Sequence, residues 1–241
     1  MKYLLIALLL GGLVLPVESF GQKKRRKDTL VVIHTEFGDM TVRLYEETPK
    51  HKANFIKLAE KGFYDGTTFH RVISEFMIQG GDPLSKADST RMRAGSGGPG
   101  YTLPAELVPG FFHRRGVLAA ARLGDAQNPQ RESSGSQFYI VQGKKFSAAE
   151  LQMAEQRVRQ VLGPGYQMTE EMKEAYMEQG GSPWLDQQYT VFGEVIDGLE
   201  VIDKIAQQPL NGNVPQEPIP ITMEVEVMRL RKIARVYDHE Y

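Results

Sequence analysis

No cysteine occurs among the 241 residues, which excludes disulfides, thiolate nucleophiles and sulfur-held zinc or iron–sulfur centres. The five histidines are scattered, with no His-x-x-x-His pair and no Asp/Glu cluster beside them, so no metal site is expected. A membrane-spanning run is also missing. The apolar stretch Leu4–Val17 covers 14 residues, short of the roughly 20 that cross a bilayer as a helix. It reads instead as the core of a signal peptide, Met1–Gly21, with the small residues Ser19 and Gly21 before the cut. An exported, most simply periplasmic, protein is expected, with an uncleaved N-terminal anchor as the alternative. No cysteine follows the run, so a lipoprotein anchor is excluded.

Neither sign of charge dominates, with 29 basic and 30 acidic side chains. The basic ones cluster, however. Beyond Lys2 and the run Lys23-Lys24-Arg25-Arg26-Lys27, residues 28–241 carry 23 basic and 29 acidic side chains, a body of net charge −6. The run could serve as a nuclear address or an anionic-surface patch, or be a solvated linker over 22–28. An acidic body behind an export signal favours the linker and argues against nucleic acid.

What is present is a chain of short, turn-punctuated strands. Thr29–Tyr45 alternates as a hairpin, with Leu30, Val32 and His34 opposed to Val31 and Ile33, a Phe37-Gly38-Asp39 turn, then Met40, Val42 and Leu44. Thr48-Pro49 opens a helix as N-cap and first helical residue, Phe55, Ile56, Leu58, Ala59 and Phe63 supply its buried face, and Gly62 ends it. Further strands are expected at 67–73, 76–79, 116–122, 136–142, 189–195 and 221–230, with a second amphipathic helix over Asp197–Gln207. Many short strands and few helices predict a mainly β fold, a closed eight-stranded antiparallel barrel capped by two helices.

One segment breaks this pattern. Ser147-Ala-Ala-Glu150 is a capping box that opens a helix with Leu151, Ala154, Val158, Val161 and Leu162 on one face, stopped by Gly163-Pro164-Gly165. Thr169 caps a second helix with Met172, Ala175 and Tyr176 inward, ending at Gly180-Gly181. An inserted αα-hairpin over about 147–181 follows, either surface decoration docked by its apolar stripe or a rim that grips substrate.

Within residues 69–82, Arg71 lies among Phe69, Phe76 and Met77. A guanidinium is always charged and carries five forked donors, so such a placement suits the gripping of a carbonyl oxygen or an amide nitrogen. Spacing alone favours instead an arginine that snorkels from a barrel rim or pairs with Glu75 or Asp82. The loop Gly80–Gly100 contains Gly95, Gly97, Gly98 and Gly100, which suggests a phosphate cradle, but no Gly-Lys-Ser/Thr follows.

Three later segments join this one in order: Gly116-Val-Leu-Ala-Ala-Ala-Arg122, Gly135-Ser-Gln-Phe-Tyr-Ile140 and Trp184-Leu-Asp-Gln-Gln-Tyr-Thr-Val-Phe-Gly193. Together the four are similar to the cyclophilin family of peptidyl-prolyl cis/trans isomerases. The resemblance runs from about Thr29 to Arg231, within an isomerase domain expected over 29–236, interrupted by the helical insert. It implies Arg71 as the catalytic arginine and Gln79 as the group that orients substrate and arginine. For substrate binding it implies Phe76 and Met77 as pocket wall and Gly95 along the groove. Ala121 and Arg122 would form the strand edge facing the peptide, with Gln137 beside it, and Tyr139, Trp184, Leu185 and Tyr189 would complete the proline pocket. Many relatives have asparagine, phenylalanine and histidine where this chain has Arg122, Tyr139 and Tyr189, and a Pro-Gly turn where it has Ser74-Glu75. Tyr139 is expected to add a hydroxyl to the pocket and Arg122 a charge to the groove. Cyclosporin is a further ligand implied by the resemblance, favoured by Trp184 and opposed by Arg122 and Tyr189.

The implied activity is rotation about Xaa-Pro bonds in unfolded or flexible exported polypeptides, assisting their folding, with no metal, cofactor or nucleophile. The alternative is a non-catalytic peptide-binding or chaperone module that uses the same groove or the helical insert.

Overall fold

The computed structural model describes residues 27–238, so the expected signal peptide and most of the basic linker lie outside the described residues. Strands β1 (Lys27–Thr35) and β2 (Gly38–Leu44) form the first hairpin, with Thr35 opposite Gly38. The turn is therefore Glu36-Phe37, one residue earlier than the sequence suggested. Thr35 sets it, because its Oγ1 donates to Gly38 O (2.8 Å) and accepts from Phe37 N (3.0 Å).

Helix α1 (Pro49–Glu60) starts at a proline whose missing N–H costs nothing there. Thr48 makes no side-chain cap. The exposed N–H groups of the first turn are met by a distant carboxylate, Glu106, at 3.1 Å from Lys50 N and 3.0 Å from His51 N. Phe55, Leu58 and Ala59 face inward as the spacing required.

Strands β3 (Arg71–Ile73) and β4 (Met77–Gly80) follow, then a loop with a 3₁₀ turn at Pro83–Ser85 and the single-turn helix α2 (Asp88–Arg91). Next come β5 (Thr102–Leu103), β6 (Val117–Ala120), β7 (Ser133–Ser134) and β8 (Phe138–Val141). The inserted helices are α3 (Ala148–Leu162) and α4 (Glu170–Glu178), and a 3₁₀ turn at Pro183–Leu185 leads to β9 (Val191–Asp197). Helix α5 (Leu199–Ala206), the small hairpin β10 (Leu210–Asn211) and β11 (Val214–Pro215), β12 (Thr222–Arg229) and helix α6 (Leu230–Tyr237) complete the chain. The last helix replaces the end of the expected strand 221–230. Its apolar residues Leu230, Ile233, Ala234 and Tyr237 recur at helical spacing, and Ile233 is fully buried.

Eight strands form one antiparallel sheet in the order β12-β1-β2-β9-β6-β8-β4-β3. The expected closed barrel is not present as a continuous ladder, since β12 and β3 end the order without pairing as strands. Residues 66–69 instead meet residues 219–221, through Gly66 N to Ile221 O (2.9 Å), Phe69 N to Ile219 O (3.0 Å) and Ile221 N to Thr67 O (2.8 Å). Pro218 and Pro220 lie in that seam and have no N–H to donate, which limits it to a single bridge, Thr68 opposite Pro220. The same break ends β3 at Arg71 rather than at Thr67.

The sheet sorts side chains by alternation. Phe138 and Ile140 of β8, Leu118 and Ala120 of β6 and Ile78 of β4 enter the main core, where Phe55 meets Tyr64, Phe138 and Phe192 at 5.1, 5.4 and 5.5 Å between ring centres. The alternate residues Tyr139, Val141, Val117, Ala119 and Met77 form a second cluster on the opposite face. Helices α1 and α5 cover the main core, while α3 and α4 pack with Phe146, Phe112 and Trp184 in a third cluster. Among the described residues no helix is long and apolar enough to cross a membrane.

Candidate active site

Strand register builds the site. Arg71 of β3 lies opposite Gln79 of β4, Gln79 opposite Tyr139 of β8, and Tyr139 opposite Ala119 of β6. Residues directly opposite one another project to the same face, so the four form a row across the outer side of the sheet. A groove of about 460 Å³ runs along it. Its walls include Arg71, Phe76, Met77, Gln79, Gly95, Ala121, Arg122, Tyr139, Leu185 and Tyr189.

Arg71 is solvent-exposed at the groove and its Nη1 donates to Gln79 Oε1 at 3.0 Å. The pairing with Glu75 or Asp82 that spacing alone allowed is absent among the described contacts of Arg71. Gln79 Nε2 in turn donates to Gln137 Oε1 at 3.1 Å. The Gln137 amide nitrogen faces Gly97 O (2.8 Å), Gly95 O (3.1 Å) and Asp82 Oδ2 (3.2 Å). Gln79, Gln137 and Asp82 are all buried, so this chain of hydrogen bonds is shielded from water until it reaches the guanidinium.

The glycine loop also has its explanation here. Asp82 accepts from Gly95 N (2.6 Å), Gly97 N (2.8 Å) and Leu84 N (2.7 Å), so a resident carboxylate occupies the place a phosphate would take. A Cβ at Gly97 would stand 2.2 Å from Asp82 Oδ1, which restricts that position to glycine.

Two of the residues implied by the resemblance lie off the first groove. Gln137 lines an adjoining groove of about 650 Å³, bounded by residues 95–102 and 121–135, which shares Gln79, Gly95, Ala121 and Arg122 with the first. Trp184 stands behind Phe76 at 5.5 Å between rings and supports the wall from outside.

The departures from the common pattern act differently from the sequence expectation. The Tyr139 hydroxyl does not enter the pocket, but turns inward to His113 Nε2 at 3.0 Å. Burial raises its pKa well above the ordinary phenol value, so it remains a donor. The Arg122 side chain is only 4% exposed and lies over the Tyr189 ring, 4.5 Å from its centre. Its Nε donates to Gln188 O (3.0 Å) and its Nη1 to Asp125 (2.6 Å), so the added charge is covered and paired. Arg122 and Tyr189 thus shield each other. At the Ser74-Glu75 corner, Glu75 takes a positive φ of 60°, the geometry a glycine supplies more cheaply, and its N–H is held by Gln142 Oε1 at 2.7 Å.

Sequence reasoning missed His70, Ala94, Asn213 and Val214, all of which line the groove. Strand alternation would turn His70 away from Arg71, but β3 begins only at Arg71, so alternation does not apply. Asn213 and Val214 arrive from far along the chain, docked by Val72 N on Asn213 O (2.8 Å), and no local pattern marks them.

The family model for cyclophilin type peptidyl-prolyl cis-trans isomerase matches residues 30–226. A protein of Staphylococcus haemolyticus named "Putative peptidyl-prolyl cis-trans isomerase" is 39% identical over 180 residues, 73% of this chain and 79% of that one. One of the same name from Staphylococcus aureus (strain USA300) is 40% identical over 180 residues, covering 73% and 80%. Among solved structures, a cyclophilin type peptidyl-prolyl cis-trans isomerase of Cryptosporidium parvum aligns with a TM-score of 0.58 at 26% identity, over 84% of this chain and 97% of that one. The same protein in the presence of the dipeptide Ala-Pro aligns at 0.57 and 26%, over 83% and 98%. With the family model spanning most of the chain and relatives this similar over nearly four fifths of their own length, the chain belongs to the cyclophilin-type peptidyl-prolyl cis-trans isomerase family.

Proposed function

We propose that the groove binds an Xaa-Pro segment of an unfolded or flexible exported polypeptide, and that Arg71 stabilises the twisted amide and so assists folding. An Xaa-Pro amide has a rotational barrier of roughly 18–20 kcal/mol and interconverts unaided in tens to hundreds of seconds. Twisting breaks the amide resonance and returns a lone pair to the proline nitrogen. A guanidinium N–H directed at that nitrogen is stabilised only in the twisted state, the differential binding that lowers a barrier.

Each surrounding group has a part in this. Phe76, Met77, Tyr139 and Leu185 form an apolar cup for the proline ring and exclude water, which strengthens the same hydrogen bond. Gln79 holds one guanidinium nitrogen from below and leaves the other donors for substrate. The Ala121 backbone is spent within the sheet, its N–H on Gln137 O and its carbonyl on Ser134 N, so the edge offered next to the cup is that of Arg122. Nothing in this route needs a nucleophile, a metal or a cofactor.

Export rests on the apolar run Leu4–Val17 and the small residues after it. The observation that carries the catalytic reading is the exposed guanidinium tied by one hydrogen bond to a buried amide relay at the rim of an apolar cup. Arg71→Ala is expected to lower kcat/KM for a short Xaa-Pro peptide by about 10²-fold, the lower range for losing one oriented donor, since Arg71 is open to water. An unchanged kcat/KM with an intact fold sinks the assignment.

A further inference from the structure

A buried polar chain connects the helical insert to the proline pocket, and the route described above makes no use of it. Asp186 and His113 are both fully buried. Tyr176 of α4, itself fully buried, sets its hydroxyl 2.8 and 2.7 Å from the two Asp186 oxygens, and the Tyr166 hydroxyl from the loop between α3 and α4 reaches Oδ2 at 3.2 Å. Asp186 Oδ1 accepts from His113 Nδ1 at 3.0 Å and from His113 N at 2.9 Å, which holds the ring with Nε2 turned toward the groove wall. That nitrogen receives the Tyr139 hydroxyl at 3.0 Å. The His113 backbone is clamped on both sides, its N–H also reaching Tyr176 Oη (3.1 Å) and its carbonyl accepting from Ser182 N (2.8 Å). Gly181, which ends the insert and bridges to Arg114 and Lys144, is so close that a Cβ there would lie 2.3 Å from His113 O.

A docked decoration needs only its apolar stripe. Here a carboxylate out of contact with water is met by hydroxyls from the insert, and removing them would leave a buried charge short of donors, an expensive state. The chain ends on Tyr139, whose ring is a wall of the groove.

We propose that Tyr176, Asp186 and His113 are positioning residues for the proline pocket, through which the helical insert fixes the orientation of Tyr139 and sets affinity for the Xaa-Pro segment. This rests on the groove being the substrate site. A wall that holds the proline ring contacts planar and twisted amides alike, so its loss falls on KM rather than kcat.

The test is a double-mutant cycle on the full chain. Trp184, the chain's only tryptophan, lies 5.5 Å from Phe76 of the pocket and 6.2 Å from Phe146 beside the insert, so its emission reports peptide binding. Tyr176→Phe should weaken binding of an Ala-Pro-containing peptide, and raise KM, by about threefold to tenfold, the coupling expected within one network. In a Tyr139→Phe background, where the chain has lost its last link, Tyr176→Phe should change neither by more than about 1.5-fold. Equal effects in both backgrounds, or none in either, overturn the proposal. If Tyr176→Phe does not fold, Tyr166→Phe is expected to show a smaller loss with the same dependence on Tyr139. An unmutated protein that binds the peptide without isomerising it refutes the catalytic reading and leaves the binding cycle to decide this one; active protein with additive losses refutes this one alone.

Discussion

Gln79→Leu separates orientation of Arg71 from its charge, because leucine fills nearly the same volume in the row between Arg71 and Tyr139 but can neither accept nor donate. Two bonds are lost: Arg71 Nη1 to Gln79 Oε1 (3.0 Å) and Gln79 Nε2 to Gln137 Oε1 (3.1 Å). The first is a hydrogen bond to a charged group, worth about 1.5–3 kcal/mol where it is shielded. Arg71 is exposed, so water replaces part of it and the lower figure applies, about tenfold in rate. The second leaves the buried Gln137 carbonyl without this donor, at about 1–3 kcal/mol of stability. For a chain of this size that lowers Tm by about 2–4 °C per kcal/mol. Exchange NMR on a short Xaa-Pro peptide measures the rate, and calorimetry the melting. The expected result is a tenfold loss in kcat/KM, with Arg71→Ala/Gln79→Leu no slower than Arg71→Ala alone within about twofold. Wild-type turnover by Gln79→Leu, or losses that multiply in the double variant, refutes the idea that Gln79 acts through Arg71.

The capping box of α3 is complete, with Ser147 Oγ accepting from Glu150 N (3.3 Å) and Glu150 Oε2 accepting from Ser147 N (2.8 Å), so Ser147→Ala should cost about 1 kcal/mol and speed amide exchange in that helix about fivefold. The Ser147 backbone N–H, Lys144 and the Ser147 hydroxyl hold the Glu150 carboxyl down at about 2, so this stabilisation is complete above its ordinary value of 4.5 and disappears as pH falls toward 2; an NMR titration midpoint near 4.5 contradicts it. Burial pushes the His70 imidazole below its ordinary 6.5, against the pull of Asp82, so folding favours the neutral ring and stability falls as pH drops below 6.5. Urea midpoints at pH 7.5 and 5.5 should therefore differ less in His70→Gln than in the wild type.

Most of the site was legible because strand alternation and ordered motifs act locally. Met77 and Gln79 share a face of β4 by period two, Tyr139 falls opposite Gln79 by register, and the pattern of both helices in the insert was written in Ser147, Thr169 and the glycines that stop them. What escaped depends on groups far apart in sequence. Glu106 caps α1 from 55 residues away and displaces Thr48 from that task, as no scan of the helix start could show. The open seam of the sheet was in principle readable, since Pro218 and Pro220 cannot feed a ladder, yet they fall just outside the strand whose apolar pattern drew attention. The Tyr139 hydroxyl was misassigned for a related reason. Its partner His113 sits 26 residues upstream in an irregular loop, and an isolated buried histidine has no sequence signature.

That misassignment changes the meaning of the substitutions around Arg71. Read from sequence, Tyr139 adds a hydroxyl to the pocket and Arg122 a charge to the groove, as two separate changes. In the structure each new polar group is consumed by a neighbour: the guanidinium of Arg122 by Asp125, Gln188 O and the Tyr189 face, the phenol of Tyr139 by His113. On the proposed reading of the groove, neither the Arg122 guanidinium nor the Tyr139 phenol competes with Arg71 for substrate. The consequence lies instead in mechanical support. Phenylalanine at 139 would need only packing, whereas tyrosine requires His113, His113 requires Asp186, and Asp186 takes hydroxyls from the insert. Because a partly satisfied buried network is worse than an apolar one, the tyrosine and the helical insert are coupled features of this chain.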